Sequence, residues 1–284
     1  MLNDHTVAVI GAGNIGRALI GGMLTAGERT GDALIEAERV TATRRSADAL
    51  AELAEEFPGL RTATNNATAA REASIVILAV KPQSADAVIA EIKDVTPPGA
   101  LVISVLAGRT TAQLEADFGS DEGRERAVVR AMPNTPALVD EGATALAAGR
   151  FATDEDVRAA RQILGAVGQV EVVEEELMDA VTGLSGSGPA YVYMFIEALT
   201  DAGVKQGLKR KTAAELAAQT VYGAARLAVK TEKHPAILRD EVTTPGGTAI
   251  AAVAELEDHG LRTMLINAVA TATERSGQLA DESE

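Results

Sequence analysis

Cysteine and tryptophan are absent, and all aromatic residues together make up 2% of the 284 residues. Without a thiol the chain can form no disulfide, use no thiolate nucleophile and offer no cysteine-ligated metal site. With so few rings it has no stacking platform for single-stranded nucleic acid. Basic residues number 26 against 41 acids, a net charge of −15, and a surface of that sign repels phosphate backbones. No apolar run approaches the roughly 20 residues of a membrane-spanning helix. The strand-like Thr6–Ile10 follows the first Met too closely for a signal peptide. These absences point to a cytoplasmic protein with neither nucleic acid nor membrane as partner. The acid excess fits a solvated surface in a cytoplasm of high salt, where screening relieves self-repulsion; an ordinary acidic bacterial enzyme is the alternative.

What is present is enough apolar residue, 46%, to bury a substantial core in two domains or one large one. Over residues 1–173 short β-rich runs alternate with helical segments. The runs are Thr6–Ile10, Arg39–Thr43, Arg61–Thr64, Ser74–Val80, Ala100–Val105, Arg126–Arg130, Thr144–Ala147 and Gln169–Val173. Ser46 and the Thr153–Asp156 capping box mark helix starts between them. Alternation of this kind predicts parallel strands with helices on both faces, a Rossmann-like α/β domain. From residue 174 to 284 helical periodicity takes over, at Glu175–Thr182, Pro189–Gly203, Lys211–Lys230, Gly247–His259 and Leu261–Gln278. The expectation is an all-α second domain.

Gly11-Ala12-Gly13-Asn14-Ile15-Gly16 follows the first strand and opens a helix. In that context the first Gly permits a tight turn, the second clears space for a pyrophosphate, and the third lets helix and strand pack closely. The second strand decides the cofactor. If it is Arg39–Thr43, its end carries Thr43, Arg44 and Arg45, which suit the 2′-phosphate of NADPH. If it is Ala33–Ala37, Glu36 lies about 20 residues past the glycines and favours NADH. The first register is preferred, because it runs directly into a charged turn and a capped helix. Lys81 and Pro82 end a fully apolar strand; Lys81 points toward the crevice outside the strand ends or is simply a solvated strand-end lysine. Ala107 offers a small residue at the next strand end, open to a flat nicotinamide.

In the helical half, Val242-Thr243-Thr244-Pro245-Gly246-Gly247-Thr248-Ala249-Ile250 places hydroxyls, a Pro and two glycines ahead of a helix-spaced apolar run. A helix N-terminus of that composition either is an ordinary cap after a turn or holds a small carboxylate on its N–H groups. Thr182–Tyr191, rich in Gly and Ser ahead of Pro189, has the same physics.

Taken together these stretches resemble the pyrroline-5-carboxylate reductase family over essentially the whole chain. The matching stretches are Ile10–Gly16, Ala79–Gln83, Met132–Pro136, Asp179–Tyr191 and Thr244–Thr248. The resemblance implies a dinucleotide-binding domain, 1–173, followed by a helical substrate-binding and dimerisation domain, 174–284. It implies NADPH as cofactor, with NADH as the alternative, and a small-molecule substrate. Self-association is implied as a dimer, with decamers known among relatives. Cofactor contacts would be Gly11, Ala12, Gly13, Asn14, Ile15, Gly16, Thr43, Arg44, Arg45, Asn66, Val80, Lys81, Pro82 and Ala107. Substrate contacts would be Glu175, Thr244, Gly246, Gly247, Thr248 and Ala249, with Thr248 and Glu175 in the catalytic role and Glu232 matching a further acid of the family's site. Ala249 departs from the pattern, since relatives carry a Thr there that is proposed to hydrogen-bond the ring nitrogen.

The implied reaction is reduction of L-1-pyrroline-5-carboxylate to L-proline. A cyclic imine is basic enough to bind as its iminium, so no dedicated acid is required, and a carboxylate such as Glu175 favours that cation. None of the three histidines, His5, His234 and His259, looks like a catalytic base. A 3-hydroxy acid dehydrogenase, the nearest rival, requires a catalytic Lys in the first long helix of the second domain. That helix reads as apolar residues with Glu197 and Asp201. A cofactor-binding sensor without chemistry is the non-enzymatic rival.

Overall fold

The computed structural model describes residues 2, 4–25, 31–119 and 125–281. Its first compact unit comprises residues 1–186 and 272–284, and its second residues 187–271.

The first unit is built on one eight-stranded sheet. Its strands are β1 (Val7–Ile10), β2 (Val40–Thr43), β3 (Arg61–Ala63), β4 (Ile75–Leu78), β5 (Leu101–Ser104), β6 (Val128–Met132), β7 (Gly142–Ala148) and β8 (Gly168–Val172), in spatial order β3-β2-β1-β4-β5-β6-β7-β8. Every expected strand is found. Strands β1, β4 and β5 are buried throughout, as uninterrupted apolar runs require when helices cover both faces. The two-residue period divides the core. Val7, Val9, Ile75 and Ile77 join one cluster with Leu19 and Ile20 of α1 (Asn14–Leu24) and Ile163 and Leu164 of α6 (Asp154–Gly165). Ala8, Ile10, Val76 and Leu78 join the other, with helices α3 (Asn66–Arg71), α4 (Ala85–Ile92) and α5 (Thr111–Asp117). Each fully buried Ile or Leu here contributes roughly 1.5–3 kcal/mol relative to exposure.

Sequence had predicted parallel pairing throughout, and one pair corrects it: β6 and β7 are antiparallel. The physical reason is length. Only residues 133–141 join the two strands, with a 3₁₀ turn at Thr135–Val139, and a parallel return needs a crossover of about a dozen residues or more.

The helix starts form as their side chains dictate. Ser46 accepts from the N–H of Ala49 at the head of α2 (Ala47–Glu56), and Thr153 and Asp156 cap α6 reciprocally. After β8 the single expected helix over 175–182 is instead a 3₁₀ turn (Glu175–Leu177), the short α7 (Met178–Val181) and a π-helical stretch (Thr182–Gly186). Thr182 and Ser185 donate their hydroxyls to carbonyls four residues back, while Asn134 Nδ2 donates to the carbonyl of Ser185. Such side-chain bonds let the backbone leave α register.

The second unit is helical: α8 (Gly188–Lys205), α9 (Arg210–Thr231), α10 (Pro235–Val242), α11 (Thr248–Asp258) and most of α12 (Leu261–Asp281), whose last turns belong to the first unit. The sequence pattern had not picked out α10, a short helix begun by His234 and Pro235. Helices α8 and α9 approach closely because Gly203 faces Ala213; a Cβ on Gly203 would lie 3.0 Å from that of Ala213. Tyr193, Met194, Leu216 and Ile266 are exposed, far more apolar surface than a lone helical unit carries without a partner.

Candidate functional site

The site of the first unit is set by register. In the parallel ladder Ile10 of β1 stands opposite Thr43 of β2 on one side and Leu78 of β4 on the other. The residues that follow, Gly11, Arg44 and Ala79, therefore leave the sheet side by side, at the point where strand order reverses. A cleft of about 710 Å³ lies there, and Gly11, Gly13, Thr43, Arg44, Arg45, Asn66, Val80 and Lys81 all line it.

Each glycine of the loop has its own reason. Gly11 has φ +93°, and a Cβ on it would lie 2.7 Å from Val80 Cγ1. A Cβ on Gly16 would lie 2.6 Å from the carbonyl oxygen of Gly11, so only Gly lets α1 pack there. Gly13 meets nothing within 4 Å, which is the open space that a pyrophosphate needs. Ala12 is buried and donates its N–H to the carbonyl of Thr43 at 2.8 Å. Ala12, Asn14, Ile15, Gly16, Pro82 and Ala107 lie outside the cleft lining.

Strand β2 resolves the cofactor register. Glu36 precedes a 3₁₀ turn at the amino end of β2, while Arg44 and Arg45 follow its carboxyl end. Among the described residues no carboxylate forms an ion pair with Arg44, Arg45 or Lys81. Three unpaired cations lining one cleft fit an anionic ligand. Thr43 itself is fully buried; its hydroxyl accepts from the N–H of Gly11 at 3.2 Å and donates to Asn66 Oδ1 at 2.7 Å. Its one proton is therefore committed to Asn66, while its oxygen holds the loop at Gly11.

Glu175 also belongs to the first unit. Its carboxylate accepts from the N–H of Thr111 at 2.8 Å, from the Thr111 hydroxyl, and from Arg130 at 3.2 Å. It thereby anchors the start of α5, just beyond the loop that carries Ala107. Arg109, next in that loop, pairs with Asp86 and Asp117. Thr111, Arg130, Arg109 and Glu91 had no signal in the sequence, because none stands in a motif and their partners lie 8 to 64 residues away.

In the second unit, Thr244–Gly247 forms a tight turn. Gly247 donates its N–H to the carbonyl of Thr244 at 2.9 Å, Pro245 occupies the second position and Gly246 the third, at φ +68°. That is the chemistry of a type II turn. A Cβ on Gly247 would collide with Thr244 Oγ1. Gly247 is also the N-cap of α11, and no side chain caps that helix. The N–H groups of its first turn, from Thr248 and Ala249, consequently receive no side-chain cap. Glu232 terminates α9 in the left-handed region at φ 54°, a conformation that costs a non-glycine residue of order 1 kcal/mol and gathers at functional sites.

A Rossmann-like sheet, a glycine loop at its switch point and a cationic cleft beside it define a nicotinamide-dinucleotide oxidoreductase. Residues 6–108 match the family model of NADP oxidoreductase, coenzyme F420-dependent, and residues 175–279 match that of pyrroline-5-carboxylate reductase dimerisation. A pyrroline-5-carboxylate reductase of Methanosarcina acetivorans is 43% identical over 98% of this chain and 99% of its own. The structure of such an enzyme from Coxiella burnetii superposes with a TM-score of 0.89 at 38% identity, covering 98% of this chain and 99% of that one. A Plasmodium falciparum pyrroline carboxylate reductase with NADP bound gives 0.82 at 31% identity, covering 98% and 99%. The chain belongs to the pyrroline-5-carboxylate reductase family.

Proposed function

We propose that the chain reduces L-1-pyrroline-5-carboxylate to L-proline with NADPH, the last step of proline biosynthesis. The observation that carries this reading is the uncapped start of α11 behind the Thr244–Gly247 turn, joined in one chain to the cationic dinucleotide cleft. The cleft fits the cofactor: Gly13 leaves open space, and among the described residues no carboxylate pairs with Arg44 or Arg45, which line it. NADPH, when bound, supplies the hydride.

The chain's own residues bind and orient. Arg44 and Arg45 hold the 2′-phosphate, and Gly11–Gly16, Asn66, Val80, Lys81, Pro82 and Ala107 shape the rest of the cofactor site. The N–H groups of Thr248 and Ala249, with Thr244, Gly246 and Gly247 forming the turn, hold the substrate carboxylate and so fix the imine carbon for transfer. Thr248 is the hydroxyl nearest in sequence to the missing Thr at Ala249 and acts as the donor to the ring nitrogen, unless the imine arrives protonated. Glu175 contributes negative charge that favours the iminium, moderated by its pairing with Arg130.

Helix α8 runs on to Lys205, so the rival dehydrogenase's helix does carry a lysine, but at its exposed last turn. The exposed apolar faces of the second unit support self-association; the assembly proposed is a homodimer across 174–284 with a decamer as the higher form, and the compartment proposed is a cytoplasm where salt screens the acidic surface. Among the described residues no helix is long and apolar enough to cross a membrane. NADPH oxidation with pyrroline-5-carboxylate, measured in salt-matched buffer, tests the reading. Absence of turnover with that substrate overturns it.

A further inference from the structure

We propose that Glu91, on α4, is a positioning residue for cofactor binding, because its charge sets the direction of a hydrogen-bond chain that ends at the glycine loop. Both carboxylate oxygens are used on one neighbour: Oε1 accepts from the N–H of Asn66 at 3.1 Å and Oε2 from its Nδ2 at 2.8 Å. A carboxylate can only accept, so the amide nitrogen must face Glu91 and Oδ1 must face Thr43. That oxygen takes the hydroxyl proton of Thr43 at 2.7 Å, and the Thr43 oxygen takes the N–H of Gly11 at 3.2 Å. The buried Thr43 thus donates in one direction and accepts in the other. Glu91, Asn66, Thr43 and Gly11 all line the same cleft.

Replacing the carboxylate with an amide of the same shape reverses the logic. Gln at 91 keeps one oxygen for the backbone N–H of Asn66 and then presents its NH2 to Asn66 Nδ2, a donor facing a donor, which Asn66 relieves by turning its own Oδ1 toward residue 91. The hydroxyl proton of Thr43, a fully buried residue, then loses its acceptor. The Asn66 amide has two protons, of which Glu91 takes one; the second is the donor left for the ligand. With the amide turned over, that donor is misplaced as well. Glu91 therefore acts through Asn66. The inference rests on the reading of Asn66 as a cofactor contact.

The test is a double-mutant cycle, with NADPH affinity read from the fluorescence of the bound dinucleotide. That readout needs no turnover, so it is independent of whether pyrroline-5-carboxylate is the substrate. Both Glu91→Gln and Glu91→Ala are expected to weaken NADPH binding about tenfold, the equivalent of one charge-assisted hydrogen bond. In steady state the same variants raise KM for NADPH while kcat and the KM of the imine stay within about twofold. In an Asn66→Ala background, Glu91→Gln is expected to have no further effect. Wild-type NADPH affinity in Glu91→Gln, or effects of the two substitutions that multiply in the double variant, would overturn the proposal.

Discussion

The carboxylate of Glu175 takes both the backbone N–H and the hydroxyl of Thr111, while Arg130 closes the group from the side of β6. The Arg130 side chain is 6% exposed and that of Glu175 24%. Removing one member of such a pair leaves the other charge buried without compensation. Glu175→Ala is expected to lose about 3 kcal/mol of stability in urea unfolding, with Thr111→Val losing less. An unchanged midpoint for Glu175→Ala would show that the anchor carries no energy.

Among the described residues Arg44 and Arg45 have no acidic partner to lose, so their removal should leave stability nearly intact. Replacing both with Ala is expected to raise KM for NADPH by about ten- to a hundredfold, one or two charge-assisted hydrogen bonds, while KM for NADH barely moves. Equal losses with the two cofactors would remove these arginines from 2′-phosphate recognition.

At Gly247 the obstacle to any side chain is Thr244 Oγ1. Gly247→Val pushes the Thr244 hydroxyl aside, crowds the Thr244 carbonyl and is expected to shift the first N–H groups of α11. KM for pyrroline-5-carboxylate should rise by at least about tenfold, with NADPH affinity unchanged. Unaltered substrate kinetics would refute the carboxylate cradle.

Restoring the hydroxyl the family usually carries, Ala249→Thr, should raise kcat if a donor to the ring nitrogen limits the rate. If the substitution leaves kcat unchanged, the substrate arrives protonated and supplies its own proton, and Thr248 has no such role.

The net charge of −15 predicts self-repulsion that salt relieves. The thermal midpoint is expected to rise between low and molar KCl. A flat or falling midpoint means that the acidic surface is no adaptation to salt.

Much of this was legible in the chain itself. Buried parallel strands need continuous apolar runs, so Val7–Ile10, Ile75–Leu78 and Leu101–Ser104 announced themselves. Ser46 and Thr153 cap their helices by contacts three residues long, and local chemistry is what a sequence displays. The antiparallel turn of β7 was decided by a linker length that the strand pattern did not weigh. The break of 175–186 into 3₁₀, α and π segments depends on Asn134, which no local pattern connects to Ser185.

The sequence by itself determined the class of protein, the glycine loop and the turn ahead of α11, because turn, cap and fingerprint chemistry acts over a few neighbouring residues. Only the tertiary structure decided that Thr43 holds the loop by accepting from Gly11 while donating to Asn66, that Glu175 anchors α5, and that Glu91 orients Asn66. Those roles join residues 23 to 64 positions apart. A hydrogen bond at that separation exists only once the sheet has brought its partners within about 3 Å of each other.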